Sequence, residues 1–213
     1  MPTTVEITGY TFQELTPQAK EQACLTLQPD NDCYWHEFII DNAKEDGKAL
    51  GFDIHNIYFS ISYSQGDGAS WVGTVDLIKW LEKHKPEDAA AHFLSALMEN
   101  DWVDAYLNIT ANDPHYSHSS TMRRSDVSIQ CEYENDTISM GMFEGANVSN
   151  LFDALPEDYA DTVADEALES ARSYADEIYE RLRDEYEHMC SEEYIAELCD
   201  ANEYLFNKKG ELL

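Results

Sequence analysis

Short clusters of histidine, aspartate and glycine have the residue types that metal and phosphate sites use, but not the required spacing. His36-Glu37 is not followed by a second histidine four residues after the first, because Ile40 stands there, so the zinc-protease pattern fails. His115 and His118 offer two metal ligands without a third histidine or a cysteine at useful spacing. The run Gly66-Asp67-Gly68 is too short to cradle a phosphate. We therefore expect no metal and no cofactor.

A calcium loop and a catalytic pair are also poorly supported. Asp30-Asn31-Asp32 resembles the start of a calcium-binding loop, yet the glycine and the terminal glutamate of such a loop are missing. No local signature joins any of the five cysteines and seven histidines as a nucleophile and its base. Carboxylates are too numerous for one pair to stand out as general acid and base. We expect a protein that is not an enzyme, with catalysis kept as an alternative.

Acidic residues dominate the composition. The chain has 43 Asp and Glu against 13 Lys and Arg, a formal net charge of −30. Charge of this size favours solubility, salt tolerance or recognition of a basic partner, and it opposes direct binding to nucleic acid or to anionic lipid. Aromatic residues make up 12% of the chain, whereas disordered acidic chains are poor in them. The composition therefore indicates a folded protein with an acidic surface.

The sequence gives few signs of export or of a membrane span. No apolar stretch approaches the roughly 18 residues that cross a bilayer, and residues 1–6 lack the features of a secretory signal. The cysteines are odd in number, scattered and without a CxxC pair: Cys24, Cys33, Cys131, Cys190 and Cys199. This pattern favours reduced thiols in a cytoplasmic protein.

Apolar residues recur at helical spacing in six segments: residues 10–27, 32–50, 76–83, 86–100, 156–190 and 192–203. The first helix begins either at Thr11, where Glu14 completes a possible capping box, or at Thr16-Pro17. Gly51 suits the C-terminal cap of the second helix.

Alternating apolar residues predict up to five strands: residues 57–63, 69–75, 103–109, 127–133 and 137–143. A glycine-bearing turn over residues 64–68 joins the first two in a hairpin. The order of elements predicts an α+β fold, in which an antiparallel meander of four or five strands is packed by N-terminal helices and a long acidic C-terminal helical region. We expect one domain over residues 1–213, with a helix–helix–sheet part to residue 150 and an acidic helical part from residue 151.

The longest predicted helix carries the densest charge. Residues 153–203 contain 18 acidic and three basic residues. With a rise of about 1.5 Å per residue, the helix presents one carboxylate per roughly 4 Å, close to the one phosphate per about 3.4 Å of a DNA strand. The apolar seam must face inward, so ten acids are expected on the exposed side: Asp158, Asp161, Asp165, Glu166, Glu169, Asp176, Glu177, Glu180, Asp184 and Glu187. An ordinary solvated face, or adaptation to high salt, is the alternative.

Several motifs resemble a family of small proteins encoded by bacteriophages and other mobile elements. They are the segment 52–60 with its Ile-Tyr-Phe-Ser run, the opening 10–15, and the tail 201–210. The most specific is the hairpin motif that follows the first strand: Ser64, Gln65, Gly66, Asp67, Gly68 and Trp71. Some members of that family are labelled antitoxin-like. The resemblance implies a phage accessory protein in the bacterial cytoplasm and supplies no catalytic residues.

Together these observations favour a phage-encoded DNA mimic. Its acidic helix would bind and inhibit a basic, nucleic-acid-binding host protein, such as a restriction, CRISPR or recombination nuclease. The alternative is an antitoxin-like module that neutralises a basic partner through the hairpin motif and Tyr58. A homodimer remains open.

Overall fold

The computed structural model describes residues 8–29, 34–62, 64–87, 103–111, 116–126, 128–131 and 159–213. The chain forms two compact units. The terminal unit comprises Met1–Glu37 and Arg181–Leu213, and the sheet unit comprises Phe38–Glu180. This division differs from the predicted boundary near residue 150, because apolar residues from both ends of the chain share one core. The expectation of a single domain stays a prediction.

Five α-helices lie in the described residues: α1 Pro17–Leu27, α2 Glu37–Ala49, α3 Leu77–His84, α4 Tyr159–Met189 and α5 Glu192–Ala201. Both predicted starts near the N-terminus exist, as separate elements. Thr11 and Glu14 form the capping box of a short 3₁₀ helix, while Thr16 caps α1 by accepting a hydrogen bond from the backbone of Ala19. Gly51 follows α2 with a φ of 90°, a conformation that glycine adopts easily. The predicted helix over 86–100 lies almost wholly outside the described residues.

Among the described residues of the sheet unit, five antiparallel strands form one sheet: β1 Phe52–Ser60, β2 Gly68–Asp76, β3 Val103–Ala111, β4 Met122–Arg124 and β5 Ser128–Cys131. The strand order is β1-β2-β3, and both β4 and β5 pair with β3. The predicted α+β fold with an antiparallel sheet is confirmed. The predicted strand 127–133 corresponds to β5, and its residues 127, 132 and 133 lie outside the described residues, as does the predicted strand 137–143.

Strand β1 begins five residues earlier than the alternation predicted, because a β-bulge interrupts the pattern. The pairing of β1 with β2 shifts register between Ile54 and Asn56, so His55 is an extra residue in β1. Gly73 lies opposite this bulge, and a Cβ atom there would stand 2.0 Å from the carbonyl oxygen of Asp53. Only a glycine allows so close a main-chain approach.

Three aromatic rings form the centre of the sheet unit's core. Phe52 packs against Trp71 and Tyr174, with ring centroids 5.4 and 5.6 Å apart. The indole Nε1 of Trp71 donates to the carbonyl of Ala171 at 3.1 Å, and the hydroxyl of Tyr174 donates to the carbonyl of Ala43 at 2.6 Å. The polar groups of Trp71 and Tyr174 therefore both have a partner, and these bonds connect α4 to the sheet and to α2.

The terminal unit has a separate core built from both ends of the chain. Phe12 and Phe206 meet edge to face at 6.3 Å, and Phe206 forms backbone bridges with both Tyr10 and Leu212. Gly210, with a φ of 83°, turns the tail so closely against α1 that a Cβ atom would lie 1.9 Å from the carbonyl oxygen of Ala19. The tail is thus an integral part of this unit.

Candidate functional site

Helix α4 separates its apolar and acidic residues on opposite sides. Its buried stripe recurs at three- and four-residue spacing: Val163, Ala167, Ala171, Tyr174, Ile178 and Leu182. Nine of the ten predicted acids are exposed on the other side: Asp161, Asp165, Glu166, Glu169, Asp176, Glu177, Glu180, Asp184 and Glu187. Asp158 lies outside the described residues. The sequence therefore located the exposed face of this helix correctly, but it did not predict which acids have cationic partners.

Arg124 on β4 binds two of these acids. Its Nε donates to Asp165 at 2.7 Å and its Nη2 to Asp161 at 3.2 Å. The arginine side chain is only 18% exposed, whereas the carboxylates are about 70% exposed. The hydrogen bond from Arg124 to Asp165, with its favourable charge interaction, raises the pKa of the guanidinium. Two acids one helical turn apart are thus bridged by one cation.

Two further cations neutralise neighbouring acids. Lys85, just after α3, forms an ion pair with Glu166. Arg172 binds Glu169 one turn earlier and also donates to the carbonyl of Met122 on β4 at 2.8 Å. Asp161, Asp165 and Glu166 therefore attach α4 to the rest of the sheet unit, whereas Glu169 pairs within the helix. These four residues are called the paired acids below.

The last acids of α4 within the sheet unit differ from the paired acids. Among the described residues, no cation forms an ion pair with these unpaired acids, Asp176, Glu177 and Glu180. Asp176 and Glu180 are four residues apart, so about 6 Å of helix axis separates them. Like charges at this spacing destabilise a helix. The packing of the apolar stripe must offset this repulsion.

The remaining two predicted acids lie in the terminal unit. Arg183 approaches Asp184 at 2.9 Å and Glu187 at 4.0 Å. All three side chains are at least 39% exposed, so these contacts are weak surface pairs. They reduce the local charge without fixing the side chains.

The hairpin motif is organised around one carboxylate. Asp67 accepts five hydrogen bonds from three serines: from the hydroxyls of Ser60, Ser62 and Ser64 at 2.9–3.2 Å, and from the backbone N–H groups of Ser62 and Ser64 at 2.9 and 3.0 Å. Partial burial opposes the charge, but these hydrogen bonds prevail and lower the pKa of Asp67. The motif therefore encodes a defined loop conformation.

The other residues of the motif have mixed exposure. Ser64 and Gln65 are exposed, Gly66 and Asp67 are half-buried, and Gly68 is buried. A Cβ atom on Gly68 would meet the backbone of His118 at 3.0 Å, and Trp71 is fully buried in the core. Gly68 and Trp71 thus act in folding, and only the tip of the loop faces solvent.

The terminal unit contains a cavity of about 510 Å³ beside α1. Cys24 and Cys190 line it together with Lys20 and Glu192, which form an ion pair at 3.1 Å. Burial raises the pKa of both thiols, so they favour the protonated form rather than the nucleophilic thiolate. Within the part of the chain that the structure describes, no three His, Cys, Asp or Glu side chains are grouped to hold a metal ion.

The fold and the acidic side of α4 define the class of molecule. It is an acidic α+β protein whose long helix presents carboxylates to solvent. The chain belongs to a family described as a domain of unknown function (DUF8835), whose model matches residues 35–192. No curated protein and no solved structure matches the chain. No helix among the described residues is long and apolar enough to cross a membrane.

The sequence reasoning missed the cations that bind the acidic helix. Arg124 and Lys85 are far from α4 along the chain, and β4 and the end of α3 bring them to it. One signal was available, because Arg123-Arg124 is the only pair of adjacent arginines in a chain with 13 basic residues. Of this pair, Arg124 binds acids of α4, while Arg123 donates to backbone carbonyls.

Proposed function

We propose that this protein is a phage-encoded inhibitor that imitates nucleic acid and occupies the basic cleft of a nucleic-acid-binding host protein in the bacterial cytoplasm. Restriction, CRISPR and recombination nucleases are the candidate partners. The observation that carries the proposal is the set of unpaired acids, which α4 presents to solvent in a chain with a net charge of −30. Carboxylates at this density offer Lys and Arg side chains a target similar to a phosphate strand.

The ion pairs reduce the proposed contact surface. The paired acids are already bound to Arg124, Lys85 and Arg172, so a basic partner would gain little from them. The unpaired acids repel each other, and a partner's cation placed between them would relieve that repulsion. We therefore expect Asp176, Glu177 and Glu180 to supply most of the recognition by the sheet unit.

The experiment compares two variants with equal loss of charge. The partner is first captured from bacterial lysate at low salt and identified, and its affinity for the full chain is then measured. The variant D176N/E177Q/E180Q should associate about tenfold more slowly, because electrostatic steering depends on these charges. The matched control D161N/D165N/E169Q removes three paired acids and should associate at close to the wild-type rate once its folding is verified by circular dichroism.

Two further measurements decide between mimicry and other modes of binding. Duplex DNA should compete with this protein for the partner, and affinity should fall steeply as salt rises. An affinity that is independent of salt and insensitive to DNA would show that the partner is recognised in another way. If both variants associated with the partner equally slowly, recognition would depend on the net charge of the protein and not on the unpaired acids.

The antitoxin-like alternative rests on the exposed tip of the hairpin motif. Ser64 is held in place by two hydrogen bonds to Asp67, and Gln65 follows it at the exposed tip. Tyr58 is 39% exposed on β1. This rigid, uncharged surface could recognise a partner by shape. A double variant S64A/Q65A that loses partner binding, while D176N/E177Q/E180Q retains it, would favour this alternative.

A further inference from the structure

The outer edge of β1 is the least charged part of this acidic chain. Residues 54–66 contain no Asp, Glu, Lys or Arg, the longest such run in the sequence. They include most of β1 and the start of the hairpin loop. The next acid, Asp67, already accepts five hydrogen bonds within the loop. Beyond Asp53, the edge strand of a molecule with a charge of −30 therefore carries no Asp, Glu, Lys or Arg side chain.

This edge also has hydrogen-bonding groups to offer. β1 is the first strand of the sheet, and it pairs with β2 on one side only among the described strands. An edge strand presents a row of backbone N–H and C=O groups to any strand that approaches it. Proteins commonly block such edges with lysine, proline or bulges, but here the bulge near Ile54 leaves the segment from Asn56 to Ser60 regular.

We propose that β1 pairs antiparallel with β1 of a second copy of this chain, extending the sheet across a two-fold axis at Tyr58. In this register Tyr58 lies opposite Tyr58 of the second copy, Ile57 opposite Phe59, and Asn56 opposite Ser60. Aromatic pairs, aromatic–β-branched pairs and polar pairs are all favourable across antiparallel strands. The segment is thus complementary to itself, as a two-fold interface requires.

Charge argues for the second copy and against a basic partner at this edge. A basic protein would be drawn to the carboxylates of α4, whereas residues 54–66 offer it no formal charge. Two copies of this chain repel each other everywhere except along a neutral strip, and so can approach most closely there. Stable interfaces bury about 1,200–2,000 Å², and a pair of five-residue strands buries less, so the dimer is transient.

The salt dependence of this dimer has the opposite sign to that of the proposed partner binding. Raising salt from about 0.01 M to about 1 M shortens the Debye length from about 30 Å to about 3 Å. Screening should therefore strengthen the dimer by at least tenfold and weaken the binding of a basic partner. Sedimentation velocity of the full chain, measured between about 0.01 M and about 1 M salt, reports how much the dimer is strengthened. A protein that stays monomeric at high salt and high concentration would overturn the proposal.

A matched pair of variants locates the interface. Tyr58→Lys places two like charges opposite each other and should abolish the dimer, although it lowers the net negative charge. Tyr116→Lys makes the same change at a tyrosine that is 56% exposed outside β1, and this variant should still dimerise. A dimer that survives Tyr58→Lys would show that the interface lies elsewhere.

Amide hydrogen exchange provides a second, independent test of the position of the interface. At high salt, raising the protein concentration should slow amide exchange at residues 56–60. Slowing confined to another segment would contradict pairing through β1. D176N/E177Q/E180Q should leave the dimer intact, and dimerisation of the wild-type chain is measured without any partner. Failure of this proposal and failure of the proposed function are therefore distinguishable.

Discussion

Two parts of the same helical face, less than three turns apart, differ in what their carboxylates do. The paired acids from Asp161 to Glu169 are bound by Arg124, Lys85 and Arg172. The unpaired acids from Asp176 to Glu180 have no such partner among the described residues. In the first set, Asp161 and Asp165 join the helix to β4 and Glu166 joins it to the end of α3. The second set is available to another molecule. Acidic residues that are all exposed on one helix are therefore expected to have opposite effects on stability.

The largest effect that tests this comparison is expected at Arg124. Replacing Arg124 with Gln removes the cation that bridges Asp161 and Asp165, and it leaves two like charges one turn apart. Hydrogen bonds to charged groups contribute about 1.5–3 kcal/mol, and the exposed carboxylates reduce this figure. We expect a loss of about 1–2 kcal/mol in the free energy of unfolding, measured by urea denaturation.

Arg123 provides the control for that measurement. This exposed neighbour donates only to the backbone carbonyls of Ser120 and Met122 among the described residues, so Arg123→Gln should cost less than about 1 kcal/mol. Equal losses in the two variants would mean that the paired acids do not depend on their cation.

Asp67 sharpens the comparison, because its carboxylate is held by neutral donors instead of a cation. Asp67→Asn should destabilise the protein by about 1 kcal/mol at pH 7, since the hydroxyl and N–H groups of the loop lose a charged acceptor. The pKa of Asp67 lies below its ordinary value of 3.8, so the stabilisation is complete above that value and is lost as pH falls through the lowered pKa. Thermal melts of both proteins from pH 7 to pH 2 check this, and a difference that persists at pH 2 would contradict it.

A pair of double variants tests the sign of the effect directly. D161N/D165N removes two paired acids and should lower the free energy of unfolding by about 0.5–1 kcal/mol. D176N/E180Q removes two unpaired acids at the same spacing and should raise it by about 0.2–0.5 kcal/mol, because it relieves repulsion between like charges. Urea denaturation at low salt measures both. Changes of the same sign would remove the distinction between the two sets.

The smallest expected effect is the change in the melting temperature of D176N/E180Q with salt concentration. Screening weakens the repulsion between the unpaired acids in the wild-type protein, so salt should raise the wild-type melting temperature more than that of D176N/E180Q. The gap between the two proteins should nearly close at about 1 M salt, where the Debye length is about 3 Å. If the melting temperatures of the two proteins rose in parallel with salt, the repulsion that salt screens would lie between other residues of the chain.

Local patterns predicted much of the fold. The helical spacing from Val163 to Leu182 identified α4 and its exposed face, and Thr16-Pro17 marked the start of α1. Alternation identified β2 and β3 but misplaced the start of β1, because the bulge at His55 breaks a period of two. The division of the chain into two units was not predictable from composition, because the core that joins Phe12 to Phe206 pairs residues nearly two hundred positions apart.

The sequence by itself determined the net charge, the type and phase of most elements, and the exposure of the acids of α4. These properties depend on residue type and on contacts within a few residues. Only the tertiary structure decided which acids are neutralised, because the sheet carries Arg124, and the end of α3 carries Lys85, to a helix that lies far along the chain. The same is true of residues 54–66: the sequence shows that they lack Asp, Glu, Lys and Arg, but only the strand order shows that β1, which includes residues 54–60, lies at the edge of the sheet.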